Sequence, residues 1–502
     1  MLGTMPQRTQ LQWTVPGTGN LASRVEDHHL YVAANRGPVH YRLKPEGPVP
    51  VPAAGGLVTA LSGAARHLPM TWVATASGPG DRLVASQAPT MRAKPGLPRL
   101  RYVVPSEEAL DWFYRHFSNP VLWFLQHGLW DELRRPNLTE LVQKGWQLGY
   151  RPVNEAFAQA IAQEVCGAVR PVILTHDYHF YLLPALLRQH VPGALLQHFT
   201  HIPWPGPDSW EVLIPSVTRQ ICRGLLGADI VGFQTVESAT NFLRCCERFV
   251  PGAQVSQQLA TVGLADRSIK VKAYPISIDP VALRRVATSP EAAHHKARLL
   301  PLLGEQTIVR VDRLDPSKNI VRGFQAFGML LERRPDLVGR VRFLAFLVPS
   351  RENIAEYRRH AQEVLREVET VNGRFGQDGW KPIELFHEDN RSQAIAGMAL
   401  ADVLLVNPVA DGMNLVAKEG PIVSERSAVL VLSKECGAHH QLGSAALSIP
   451  PRDVAATTSA LEQALAMPMD ERNRRNRTLR GVIEAEDISW WMRTQLQDLF
   501  DS

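Results

Sequence analysis

Short apolar strand candidates, many of them apolar on both faces, alternate almost from end to end with stretches of helical hydrophobic spacing. This alternation constrains the fold of the chain more than any other feature. The runs are 30–34, 71–76, 100–104, 172–175, 195–200, 230–233, 269–274, 306–311, 341–347, 383–386, 403–406 and 428–432. A strand with one wet face alternates apolar and polar residues. A strand that is apolar throughout must be covered on both faces, as in a parallel sheet wrapped by helices. Between the runs, Ile320, Val321, Phe324, Phe327, Leu330 and Leu331 recur every three or four residues behind Ser317, a candidate N-cap. At 502 residues the chain exceeds what a single core holds. The pattern predicts an α/β protein with two doubly wound, Rossmann-like domains and a cleft at the carboxyl ends of their strands.

The boundary falls where the run ending at Tyr274 passes through Tyr-Pro-Ile-Ser-Ile-Asp-Pro into a charged, Ala-rich helix over 281–300. This gives an N-terminal domain at 28–277 and a C-terminal domain at 278–484. A closing segment, 485–502, carries Trp490, Trp491, Met492, Leu496 and Leu499 and reads as a helix that packs back on a domain. Residues 1–27 are polar, lack the apolar core of a secretion signal and read as a partly disordered lead-in. No apolar run reaches the roughly 18 residues of a membrane span. A formal charge of +5 is too small for this length to argue for nucleic acid and suits anionic small substrates. Cys166, Cys222, Cys245, Cys246 and Cys436 are scattered with no C-x-x-C pair. That fits a reducing cytoplasm without zinc or a disulfide framework.

Polar clusters follow the apolar runs. Asp411-Gly412-Met413-Asn414-Leu415-Val416-Ala417-Lys418-Glu419 reads as a turn into a helix whose first N–H groups attract phosphate. Asp411 just ahead of that helix, and Glu419 about two turns in, suit sugar or ribose hydroxyls. Arg36 follows the first run and can hold a phosphate. Gly55 and Gly56 precede a helical pattern and allow close backbone approach. In His176-Asp177-Tyr178-His179, Asp177 can accept from a hydroxyl or act as a base; a metal at His176 and His179 is the weaker reading. His201 is followed by the stiff Ile-Pro-Trp-Pro. Arg313 and Lys318 flank a Pro turn and can clamp a pyrophosphate, and Arg351 ends another run. No G-x-G-x-x-G follows the first run and no carboxylate pair recurs, so hydride transfer and carboxylate-pair hydrolysis are disfavoured.

These motifs, together with Phe117-Ser118-Asn119-Pro120-Val121-Leu122-Trp123, Gly232-Phe233-Gln234-Thr235 and Tyr274-Pro275-Ile276, stand in one order from about residue 30 to residue 500. In that order they resemble the trehalose-6-phosphate synthase family of retaining glucosyltransferases. The resemblance implies a GT-B fold with the C-terminal helix crossing back to the first domain. It also implies transfer of glucose from a nucleotide-glucose to glucose 6-phosphate by a front-side mechanism. By the same resemblance Arg313 and Lys318 hold the donor diphosphate, Asp411 the donor glucose and Glu419 the ribose. Gly412, Met413, Asn414, Leu415 and Val416 line the donor, Gly55 and Gly56 approach its pyrophosphate, and His201 meets its sugar. Arg36, Tyr114 and Arg351 hold the acceptor phosphate, with Asp177 and Trp123 beside the acceptor. No cofactor is required, Mg²⁺ being at most a stimulant, and a homo-oligomer is left open.

Three places depart from the family pattern. Pro316 and Asn319 stand where Tyr and Gly are common. Asp389 and Asn390 occupy a position where an aromatic residue often packs near the base, and guanine offers N–H donors that a carboxylate or amide can accept. GDP-glucose is therefore favoured over UDP-glucose. The stretch from Trp72 to Gly78 lacks the usual second Trp. The last two departures are shared with a pseudo-glycosyltransferase that joins cyclitols through nitrogen, which is the alternative; a non-catalytic sugar-phosphate sensor is the alternative of another class.

Overall fold

A computed structural model describes residues 28–52, 58, 61, 69–88, 90–91, 98–130 and 138–502. Among them the N-terminal half forms strands β1 (Leu30–Ala33), β2 (Val39–Lys44), β3 (Gly47–Pro52), β4 (Met70–Thr75), β5 (Thr90–Met91), β6 (Arg99–Val103), β7 (Val172–His176), β8 (Leu195–Thr200), β9 (Ile230–Phe233), β10 (Gln254–Ser256), β11 (Thr261–Gly263) and β12 (Ser268–Ala273). The C-terminal half forms β13 (Gln306–Arg313), β14 (Val341–Val348), β15 (Ile383–Phe386), β16 (Val403–Val406), β17 (Val429–Ser433) and β18 (Leu447–Ile449). The second sheet runs β15-β14-β13-β16-β17-β18, all parallel. The first contains the parallel series β6-β4-β1-β7-β8-β9-β12, extended antiparallel by β5 at one edge and by β11 and β10 at the other. Counted along the chain, both series grow outward from a central first strand and then reverse. That is the order of a dinucleotide-binding sheet, and it opens a crevice between β1 and β7 and another between β13 and β16.

Physical causes account for the differences from the predicted elements. The β2–β3 hairpin is polar and Pro-rich and pairs with neither large sheet, so it carries no doubly buried signature. The stretch 281–300 is two helices, Pro280–Ala287 and Pro290–Leu299, because Pro290 cannot continue the first and Ser289 Oγ accepts from Ala292 N to start the second. Ser317 is not an N-cap. It lies in the 3₁₀ turn Pro316–Lys318, which Asp315 caps, and Asn319 at φ 58° separates that turn from the helix Ile320–Arg333. The helix after Asp411 begins only at Val416, which puts Glu419 in its first turn rather than two turns in.

The helix Met469–Ala485 packs on Val416–Val423. After Glu486, the helix Ile488–Phe500 lies against β8 of the other half. Gln197 donates to Gln495 at 2.7 Å and Tyr274 donates to Asp498 at 2.7 Å. No helix among the described residues is long and apolar enough to cross a membrane. The expected lead-in 1–27 lies outside the described residues.

Candidate active site

Loops that leave the two central crevices, together with their neighbours after β8 and β14, carry most of the polar clusters. Asn35–Gly37 follows β1, Asp177 follows β7, His201 follows β8, Leu314–Asn319 follows β13, Arg351 follows β14 and Asn407–Leu415 follows β16. Four of these residues hold left-handed backbone although they are not glycine: Asp177 (φ 75°), Asn319 (58°), Arg351 (48°) and Asn414 (70°). Backbone of that kind is costly and persists where the surroundings over-determine it, commonly at functional sites.

On the C-terminal side, Lys318 Nζ forms a short ion pair with Asp411, whose carboxylate also accepts from Asn414 Nδ2 at 3.1 Å. Burial raises the Asp411 pKa, but Lys318 outweighs it and holds the carboxyl below its usual range. The Lys318 ammonium is conversely stabilised by Asp411 and Asp312 against its own burial. Arg313 is exposed and pairs with no carboxylate among the described residues; its guanidinium lies 5.6 Å from the Trp123 ring centre. Gly412 faces the other half directly, since a Cβ there would sit 1.9 Å from the His201 carbonyl oxygen. His201 in turn meets His176 (Nε2 to Nδ1, 3.2 Å) and Gln234 (Nδ1 to Nε2, 3.3 Å), and burial holds its ring neutral. His176 faces His201 while His179 stacks beside Tyr114, so the two do not converge on one ion.

Asp177 accepts from the His201 backbone N–H at 3.2 Å. Burial pushes its pKa up to about 6, against the pull of two backbone N–H groups, Arg351 and Arg313. Arg351 reaches across the cleft: it donates to Asp315 at 3.0 Å, to the Tyr178 hydroxyl at 3.2 Å and to Tyr357, and it lies 4.2 Å over the Trp123 ring. The Trp123 indole N–H is buried with no partner among the described residues, which leaves one donor for a ligand. Arg36 donates to the Tyr114 hydroxyl at 3.4 Å. Burial raises the Tyr114 pKa, but Arg351 and Arg36 together pull it down to about 8. Arg36, Tyr114 and Arg351 thus form one cationic corner.

Other predicted residues are placed differently. Gly55 and Gly56 lie outside the described residues. Asp389 is exposed after β15. The Asn390 side-chain oxygen caps the helix Arg391–Ala399 by accepting from Gln393 N at 3.0 Å, which uses one of its two lone pairs and leaves Asp389 the more available acceptor. Glu419 lies 3.7 Å from Arg391 and is raised by burial. Met413, Leu415 and Val416 complete the turn into the donor-side helix, with Leu415 as its first flanking residue. Sequence reading gave Asp315 no role and did not name Tyr357 or His127. Asp315 is fully buried, and although burial opposes it, Arg351 and Arg313 hold its carboxyl far below the usual range. His127 stacks on Trp123 at 4.1 Å, and burial lowers it to about 4. Tyr178 stands in its sequence motif without a role, and only its hydroxyl contact reveals one.

Compared with known proteins, residues 29–501 match the model of glycosyltransferase family 20. The chain is 33% identical over 502 residues to the trehalose-6-phosphate synthase of Mycobacterium avium, covering 97% of this chain and 98% of that one. It is 33% identical to the bifunctional trehalose-6-phosphate synthase/phosphatase of Thermoproteus tenax, covering 92% of this chain but 62% of that longer protein. Among solved structures, an E. coli protein bound with UDP-2-fluoro glucose superposes with TM-score 0.80 at 29% identity, covering 94% of this chain and 98% of that one. An alpha,alpha-trehalose-phosphate synthase (UDP-forming) of Burkholderia xenovorans in complex with glucose-6-phosphate gives TM-score 0.81 at 28% identity, covering 94% and 99%.

Proposed function

We infer the reaction from one settled fact: this chain belongs to glycosyltransferase family 20. It is an enzyme of the trehalose-6-phosphate synthase family with the GT-B architecture of its structural neighbours. The proposed reaction moves glucose from a nucleotide-glucose to glucose 6-phosphate, with retention, giving α,α-trehalose 6-phosphate. The observation that carries this reading is the pairing of two charged corners in one cleft. The Lys318–Asp411 pair beside Arg313 suits a sugar diphosphate, and Arg36–Tyr114–Arg351 suits a sugar phosphate.

In the proposed step the bond from glucose C1 to the diphosphate oxygen breaks. A bond from C1 to an acceptor hydroxyl oxygen forms on the same face, and the hydroxyl proton passes to the departing phosphate oxygen. Arg313 and Lys318 stabilise the negative charge that grows on that oxygen. Asp411, already oriented by Lys318 and Asn414, accepts from the sugar's hydroxyls, and Asp177 accepts from the acceptor. Contact between Gly412 and His201 keeps water from C1. No metal is required in this scheme, since the two cations supply the charge, and Mg²⁺ acts at most as a stimulant. A reducing, cytoplasmic setting is proposed from the cysteines' scattered spacing along the chain.

The proposed sugar donor is GDP-glucose, on the strength of the exposed Asp389 carboxylate, which can accept from the guanine N–H groups. The Burkholderia relative carries the name UDP-forming, so nucleotide release should be measured with both sugar donors and glucose 6-phosphate. The expected result is a kcat/KM for GDP-glucose about tenfold above that for UDP-glucose, with the advantage lost in Asp389→Leu, which has no acceptor. A wild-type preference for UDP-glucose, or a GDP-glucose preference that survives Asp389→Leu, would end the guanine reading. Release with neither would end the larger proposal.

The acceptor corner gives a pH prediction. Tyr114 is neutral and can donate below about pH 8, and becomes a phenolate above it. A phenolate repels the phosphate of glucose 6-phosphate, so the acceptor KM should rise as pH climbs through 8. Tyr114→Phe should flatten that rise while raising KM at pH 7. A wild-type KM that is level from pH 7 to 9 would show that Tyr114 does not face the phosphate.

A further inference from the structure

The segment joining the two halves is held by alternate carbonyls. Tyr274 O accepts from Trp491 Nε1 at 3.0 Å, Ile276 O from Lys418 Nζ at 2.8 Å, and Ile278 O from Ile488 N at 2.9 Å. Two of these bonds come from the C-terminal helix. The third comes from the helix Val416–Val423, which opens directly behind Asp411 and Gly412. Ile276 is also held on its other side, because its N–H donates to Gln234 Oε1 at 2.9 Å. That bond fixes the orientation of the Gln234 amide, so its NH₂ faces His201 Nδ1 at 3.3 Å. A single residue of the linker therefore stands between Lys418 on one half and Gln234 with His201 on the other.

A lysine that is 1% exposed is costly to bury, and a lysine serving only to fill space would be replaced without penalty by an apolar side chain. Burial pulls the Lys418 pKa down to about 7, opposed by Glu486 and Cys436. The ion pairs found among the described residues include none with Lys418. Its Nζ goes instead to a backbone carbonyl of the linker.

We infer that Lys418 is a positioning residue that sets the register of the donor-side helix against His201 through the Ile276 backbone, with Gln234 completing the clamp from the opposite half. The inference rests on the reading of residues 411–419 as the donor-binding segment. Lys418 touches no reacting atom. It acts by keeping Gly412 against the His201 carbonyl, so that both sides of the sugar donor meet in one geometry.

The test uses Lys418→Met, Lys418→Gln and Gln234→Leu, singly and as the Met/Leu double variant, in the full-length enzyme. Lys418→Met keeps the length but cannot donate; Lys418→Gln is shorter but keeps an N–H. Expected for Lys418→Met is a donor KM raised about tenfold and a kcat lowered about tenfold, the scale of one unsatisfied buried acceptor. The acceptor KM should move less than twofold, and Lys418→Gln should lie between wild type and Lys418→Met. Because both side chains act through one backbone unit, the double variant should be no worse than the less active single variant. Unchanged kinetic constants with only a lowered Tm would overturn the clamp in favour of a purely structural lysine, and strictly multiplicative effects would overturn the shared backbone unit. A wild-type protein that binds neither GDP nor UDP in calorimetry would instead overturn the donor-site reading and this inference with it.

Discussion

Replacing Arg313 with alanine should lower kcat by about a thousandfold and leave the unfolding temperature close to that of wild type. The kinetic loss is large under the proposed mechanism, in which the guanidinium meets charge that grows only as the diphosphate leaves. Preorganised groups of that kind are worth roughly 10²–10³ each, and arginines at phosphoryl centres more. The stability change is small because Arg313 is exposed and pairs with no carboxylate among the described residues. Its guanidinium lies 5.6 Å from the centre of the Trp123 ring. The donor KM should change far less than kcat, since an interaction made mainly in the transition state is lost from kcat. Arg313→Lys keeps the charge without the planar fork and should recover only part of the loss. Steady-state kinetics with a thermal melt of the same preparations checks both halves; turnover close to that of wild type would remove Arg313 from the mechanism.

Gly412→Ala is the second large effect. A Cβ at this position would lie 1.9 Å from the His201 carbonyl oxygen and 3.1 Å from Ile202 Cα. Both are backbone atoms, so no side chain can swing away to make room. Behind Gly412 the chain cannot retreat either, because Gly437 packs so closely that its own Cβ would meet the Gly412 carbonyl oxygen at 1.8 Å. The added methyl must therefore force the two halves apart or displace the loop that carries Asp411, Met413 and Asn414. A displacement of about 1 Å at such a site costs on the order of a hundredfold in rate, and kcat/KM for the sugar donor should fall by at least that much. Binding of glucose 6-phosphate alone, measured by calorimetry, separates the two outcomes: it should be nearly unchanged where only the loop moves and should weaken where the halves part, since Arg36 and Tyr114 lie on one half and Arg351 on the other. A Gly412→Ala enzyme with normal kcat/KM would mean that the halves do not meet here during turnover.

The central sheets were legible because many doubly buried strands lose their polar alternation: β1 and β16 are apolar runs whose chemistry-bearing loops start where the run ends. Knowing the strands was nearly enough to place Arg36, Asp177, His201 and Asp411 in the loops that follow them and Arg313 at the end of β13. The β2–β3 hairpin escaped notice because its partners are polar residues and prolines, and β10 and β11 because they are three-residue edge strands. Asp315 and Tyr357 escaped for a different reason. Tyr357 occupies a helix position that helical spacing marks as core, and nothing in that spacing shows that its hydroxyl meets Arg351. Tyr114 and Trp123 were named by family resemblance alone, and the structure puts them with Arg36 and with the two cleft arginines. Asn390 shows the converse: a residue read from sequence as a candidate for the base also caps the helix that follows it.

The most direct test is the identity of the product. Purified enzyme, nucleotide-glucose and glucose 6-phosphate should be incubated and the disaccharide phosphate examined by NMR. The expected product is α,α-trehalose 6-phosphate, with the transferred glucose keeping the α configuration it had in the sugar donor and one nucleoside diphosphate released per disaccharide formed. A β linkage, or nucleotide release that yields only free glucose, would contradict retaining transfer between the two charged corners of the cleft.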